Sequence, residues 1–244
     1  MAVPAAAQRR PAVKPARASK PAITQPAPDS NAPSAVVVDE TLSLIRKTPS
    51  LFSEALQRAR RGRHVQILGS AEADGIRFFK VVVPPDEFGW IQSDAVFGTF
   101  RPYDEERLAR LMQAAVGFDQ IEIAVEFFKL YPASRFRPPM LLFFGDLLEE
   151  VAVKLTNDAA KRLKRPEMAA SGAPLHSYYM NFVSLDRYRK LGITFLFNPA
   201  ERAFHYDGTS WKDIITKYPA TSEAAEAQKR LDSLKLKMAK TDGN

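Results

Sequence analysis

The 244-residue chain contains no cysteine. That excludes a disulfide framework, a thiolate zinc site and every mechanism built on a cysteine nucleophile. Histidine is scarce: His64, His176 and His205 fall in different predicted segments, none with a second histidine at ligand spacing, so no metal site is assigned. No apolar run approaches the roughly 20 residues of a membrane span. A Gly-rich phosphate loop, Gly-x-Ser-x-Gly and His-Glu-x-x-His are also missing. Glu149-Glu150 offers paired carboxylates only on paper, because adjacent helical residues point about 100° apart; it is read as a solvated helix face. No catalytic residue and no cofactor is assigned, and the chain is expected not to be an enzyme.

Positive charge, by contrast, is plentiful and unevenly placed. The formal net charge is +7, and Arg9, Arg10, Lys14, Arg17 and Lys20 stand near the start against Asp29 alone. Residues 1–34 form a Pro/Ala/Lys-rich tail, too poor in apolar side chains to repay its ordering entropy, and are read as a disordered spacer. The same basic charge attracts nucleic acid, anionic lipid or an anionic wall polymer. Ala5-x-Ala7 before Gln8 resembles the small-residue end of a secretory signal. Two readings stay open: a periplasmic or otherwise exported protein, or a cytoplasmic one with an alanine-rich tail.

Residues 35–100 carry short apolar runs punctuated by Gly, Pro and acidic turns. Val36 to Val38 with Leu42 to Ile45 read as a first strand, and residues 51–61 as a short helix or a loop with a second strand. Val65, Ile67 and Leu68 stop at Gly69, Phe78 to Val83 stop at Pro84-Pro85, and Gly89-Trp90-Ile91 opens a third run. Such a pattern predicts a small, strongly bent antiparallel sheet closed as a barrel and filled by its own side chains. The order Leu42 to Ser50, Gly62-x-x-Val65-x-Ile67-Leu68, Phe79-x-Val81 and Gly89-Trp90-Ile91 resembles the bacterial SH3-like (SH3b) domain family. That resemblance implies a β-barrel binding a peptide or a cell-wall component. Trp90, Phe88 and Phe79 are the candidate ligand contacts, and Arg58, Arg60, Arg61 and Arg63 a candidate anion-contacting edge. Phe79 stands where the family most often has Trp or Tyr, and residues 50–61 run longer than usual.

Near residue 100 the apolar period changes from 2 to 3.6, so residues 103–240 are read as an α-helical domain. Predicted helices carry Asp104 as a cap, Asp119 with Glu122 as a capping box, Pro138-Pro139 in a first turn, Ser177 to Lys190, a short helix after Asn198-Pro199, Ser210 with Asp213 as a second box, and Ser222 onward. Residues 166–174 are read as a loop. Trp211 is expected to pack against Tyr206 and Ile215. Phe127 to Ser134 is echoed by Ile214 to Thr221, with Tyr131-Pro132 and Tyr218-Pro219 87 positions apart (218 minus 131). A helix ending in Tyr-Pro, a polar cap and an alanine-rich helix resembles the tetratricopeptide family's hairpins, although 87 is no clean multiple of its ~34-residue period.

The fold class read from the chain is therefore multidomain β then α: a small SH3-like barrel followed by degenerate tetratricopeptide-like repeats. The favoured function is a non-enzymatic interaction protein of the bacterial cell envelope, with a protein or peptide partner or peptidoglycan. The alternative is a cytoplasmic nucleic-acid-binding protein using the tail and the Arg58 to Arg63 edge, although it has no aromatic-interleaved basic platform.

Overall fold

A computed structural model describes residues 32–83 and 87–239. The basic tail through Asn31, the Ala5-x-Ala7 signal and the Pro84-Pro85 strand stop lie outside the described residues.

Seven strands form the first half: β1 (Ser34–Val37), β2 (Leu44–Arg46), β3 (Ala55–Arg58), β4 (His64–Ala73), β5 (Ile76–Val83), β6 (Glu87–Gln92) and, after a 3-10 turn at Ser93–Ala95, β7 (Val96–Phe97). They make one antiparallel sheet in the order β3-β2-β6-β5-β4-β1-β7. The single first strand expected over 36–45 is two strands, because the Asp39 carboxylate accepts from the Thr41 amide at 2.8 Å and turns the chain. Of the two readings of residues 51–61, the strand is the one formed.

Alternation sends Val37, Ile45, Val65, Ile67, Val81, Val83 and Ile91 to one apolar face. Bulges between Ile45 and Arg46 and between Ile67 and Gly69 bend the sheet. Gly89 sits where β2 crosses β6: a Cβ there would meet Ile45 Cγ2 at 2.3 Å and the Arg46 carbonyl at 3.0 Å. The expected closed barrel is not formed. End strands β3 and β7 do not pair with each other; β3 is mostly exposed, while two-residue β7 is buried against the helices.

The helices are α1 (Asp104–Ala114), α2 (Gly117–Leu130), α3 (Arg137–Arg162), α4 (Arg165–Ser171), α5 (Leu175–Met180), α6 (Asp186–Arg189), α7 (Thr209–Lys217) and α8 (Ser222–Met238). A two-stranded hairpin, β8 (Phe195–Asn198) and β9 (Ala203–Tyr206), interrupts them. As Pro138-Pro139 predicts, α3 starts with proline in its first turn; it is the central helix, burying Leu141, Phe144, Leu148, Val151 and Leu155. Helix α8 buries Ala224, Ala227, Leu231 and Leu234, the stripe its sequence predicts.

Four local expectations are corrected. Asn198 starts no helix: its Oδ1 accepts from the Ala200 amide at 2.8 Å and closes the β8–β9 turn. Residues 166–174 are largely α4 rather than loop. The helix predicted over 177–190 breaks at Asn181, whose side chain donates to the Ser177 carbonyl at 2.9 Å, and Phe182 turns extended into the core. Neither capping box forms: Asp119 and Glu122 both turn to Arg61, and at α7 the Asp207 carboxylate, not Ser210, accepts from the Thr209 amide at 2.9 Å.

Sheet and helices are joined by a buried carboxylate. Asp104 is 1% exposed and accepts from the Gly98 amide (3.1 Å), Arg101 Nε (2.8 Å) and Arg107 Nη1 (2.9 Å). The Tyr131 hydroxyl donates to the Gly98 carbonyl at 3.0 Å. Burial, and then the Asp104 charge, push that phenol well above its ordinary range, so it is a neutral donor.

Candidate functional site

On β6 the side chains of Phe88, Trp90 and Gln92 point away from the face that buries Ile91, and all three are partly exposed. The register sets Trp90 opposite Lys80 on one side and Arg46 on the other. Continuing outward, Arg46 faces Ala55 and Lys80 faces Gly69, two small residues, and a Cβ at Gly69 would touch nothing. Phe88 lies opposite Val82, and Gln92 opposite Phe78, so two buried apolar side chains flank the indole's neighbours on the same face. The result is an aromatic shelf with a cation on each side of the indole. Lys80 has no ion-pair partner among the described residues, while Arg46 Nη1 donates to the Ser53 carbonyl at 2.9 Å and its Nε is buried without a partner. Such a surface suits a ligand with an apolar or sugar face and a carboxylate beside it.

The structure separates the other candidates from this shelf. Phe79 is 6% exposed on the opposite face, edge-on to Phe100 with their centroids 5.9 Å apart and Arg101 stacked over its ring. It is a core residue, which is why phenylalanine serves where a hydroxyl or indole N–H would need a partner. The Arg58 to Arg63 edge is not one surface either. The Arg61 side chain is 8% exposed, with Nη1 2.6 Å from Glu122 and 3.3 Å from Asp119 of α2 and Nε on the Val38 carbonyl at 2.8 Å. It clamps the sheet to the helices. Arg58 is exposed but spends its guanidinium on the Glu40 and Thr41 carbonyls. Arg60 and Arg63 are exposed.

A second organised cluster lies where β9 crosses α3. Glu149, read from sequence as solvated, accepts from His205 Nδ1 (2.9 Å), the Tyr206 amide (2.9 Å) and Lys237 Nζ (2.7 Å). Burial opposes its charge, but those three donors outweigh it and hold its carboxyl down at about 2. An ionised carboxylate only accepts, so the ring of His205 donates from Nδ1. About two turns along α3, Thr156 Oγ1 accepts from the Phe204 amide at 2.8 Å. Side chains of α3 thus satisfy the N–H edge of β9, which would otherwise be an open strand edge. Glu149 missed assignment as a structural anchor although the signal was present: a carboxylate inside a helix apolar on several sides needs donors. Trp211 is 2% exposed and edge-on to Tyr206 at 5.4 Å, as its sequence context predicts.

Comparison of the chain with protein-family models, curated proteins and solved structures returns no match. Among the described residues no helix is long and apolar enough to cross a membrane.

Proposed function

We propose that this chain is a non-enzymatic interaction protein of the bacterial cell envelope. In this reading the sheet is an SH3-like module that grips a carboxylate-bearing peptide, such as a peptidoglycan stem peptide. The helices are degenerate tetratricopeptide-like hairpins that dock a protein partner. The observation that carries the first part is Trp90, held partly exposed between Arg46 and Lys80. The strongly bent sheet and its 3-10 turn before β7 support the SH3-like reading. For the helices, the sequence echo carries support at the level of the backbone. Tyr131 and Tyr218 each close a helix by bonding to the carbonyl four residues back, and each then accepts from the amide three residues on, Ser134 at 3.2 Å and Thr221 at 3.1 Å.

The test is a titration of Trp90 emission in a Trp211→Phe background with a stem peptide and its amidated form. Saturable binding that is weakened by amidation, by Lys80→Ala and by Trp90→Ala is expected. Single-stranded DNA binding that survives Trp90→Ala and collapses with salt would replace this reading with the nucleic-acid one.

A further inference from the structure

Away from the sheet, a cavity of about 510 Å³ opens between the end of α3, α4, α5 and the β8–β9 turn. That volume falls within the roughly 300–1,000 Å³ of small-molecule clefts. Leu163, Met168, Ala173, Leu175 and the ring of Tyr179, which stacks on Phe197 at 4.2 Å, form its apolar lining, and Thr156, Glu201 and Arg202 its polar lining. A second cavity of about 600 Å³ adjoins the first at Leu163 and Ala173. Helix α4 walls the first with few ties: among its described side chains Met168 alone is partly buried, and the Tyr178 hydroxyl reaches the Met168 carbonyl at 3.4 Å.

One charged group at the mouth of this cavity is conspicuous for its backbone. Arg202 has φ of 51°, in the left-handed region where glycine is the default residue of a tight turn. A bulky residue kept there at a conformational cost points to work done by its side chain. Arg202 is exposed, lines the cavity, and has no side-chain ion-pair or hydrogen-bond partner among the described residues. The neighbouring Glu201 directs a carboxylate oxygen toward His205 Nε2, 3.6 Å away. The opening therefore offers an apolar trough with an unused, planar cation at its rim.

We propose that this trough binds a single-chain fatty acid, its hydrocarbon tail along Leu163, Met168, Ala173 and Leu175 and its carboxylate paired two-pronged with Arg202. Two features choose this occupant over a peptide: a narrow lining of Leu163, Met168, Ala173 and Leu175, and the Arg202 cation at its rim.

Calorimetric titration of the full chain with octanoate, decanoate and dodecanoate, below their micellar range, tests it. Affinity is expected to rise about 4-fold per added methylene, the effect of burying one CH₂, and dodecanol is expected to bind at least tenfold more weakly than dodecanoate. Arg202→Gly separates function from folding, because glycine relieves the left-handed strain. That variant is expected to unfold at the same or a higher denaturant concentration, yet to lose at least tenfold in dodecanoate affinity with dodecanol unchanged. Ala160→Trp, which fills the cavity from an exposed position on α3, is expected to abolish both. Dodecanoate binding indifferent to Arg202→Gly, affinity independent of chain length, or no binding by the folded chain would overturn the proposal.

Discussion

The two tryptophans have opposite fates, and the regions that hold them differ in the same way. The sheet fills its apolar face with valine, isoleucine and alanine plus one aromatic, Phe79, which leaves Phe88 and Trp90 on the other side. The helical region does the reverse. Trp211, Tyr206, Phe204, Phe197 and Tyr179 are all buried around β8 and β9, Tyr206 edge-on to Trp211 and Tyr179, Phe197 and Phe204 in mutual ring contact. Aromatic area used in packing is unavailable to a partner, so the same residue type is buried packing in one region and partly exposed surface in the other. A partner of the helical region would have to use its apolar trough or its exposed helix faces, whereas a partner of the sheet meets an indole directly.

This contrast is open to breaking by substitution. The largest loss is expected from Leu148→Ala at the fully buried centre of α3, about 2–5 kcal/mol by urea unfolding. A loss of less than about 1 kcal/mol would mean that α3 is not the central support. Next comes Glu149→Gln, which weakens three hydrogen bonds to one carboxylate and should cost about 1.5–3 kcal/mol at neutral pH. Its sign with pH is defined. A carboxyl lowered from 4.5 to about 2 on folding stabilises the fold above its ordinary value, and that contribution drains away as pH falls from about 5 to 2. The urea midpoint of Glu149→Gln should therefore vary less than wild type over that window; parallel curves would sink the assignment.

Two glycines sharpen the comparison at smaller scale. At Gly145 a Cβ would meet Trp211 Nε1 at 2.3 Å and Ser210 Oγ at 2.7 Å, so Gly145→Ala should cost about 1–3 kcal/mol and perturb the Trp211 emission. At Gly69 on the shelf there is nothing to meet, and Gly69→Ala should change the unfolding midpoint by no more than about 0.5 kcal/mol. Equal effects at the two sites would erase the distinction between packed helices and open shelf.

The legible and illegible parts of the chain divide along physical lines. Strands β4 and β6 and helix α8 are readable because one face of each is buried, which leaves a clean period in the sequence, whereas β5 is buried on both faces and is readable from its aromatic and β-branched run. Asn198 was misread because an Asn oxygen accepting an amide two residues on serves a helix N-cap and a hairpin turn alike. The alternating aromatics of Phe195, Phe197, Phe204 and Tyr206 carried the deciding signal. The Asp119–Glu122 box was lost to a distant competitor, Arg61, that no local pattern reveals. Of the shelf, Trp90 and Phe88 were visible from the alternation around Ile91, but the flanking Arg46 and Lys80 needed the strand register. Burial of Phe79 followed from the same alternation, since it shares its face with Val81 and Val83.

The most direct check follows the two indole N–H signals by NMR while a stem peptide is titrated into the full chain. Here Trp90 should shift saturably and Trp211 should stay in place. Peptide binding that moves Trp211 alone, or neither signal, would contradict a recognition surface on the sheet.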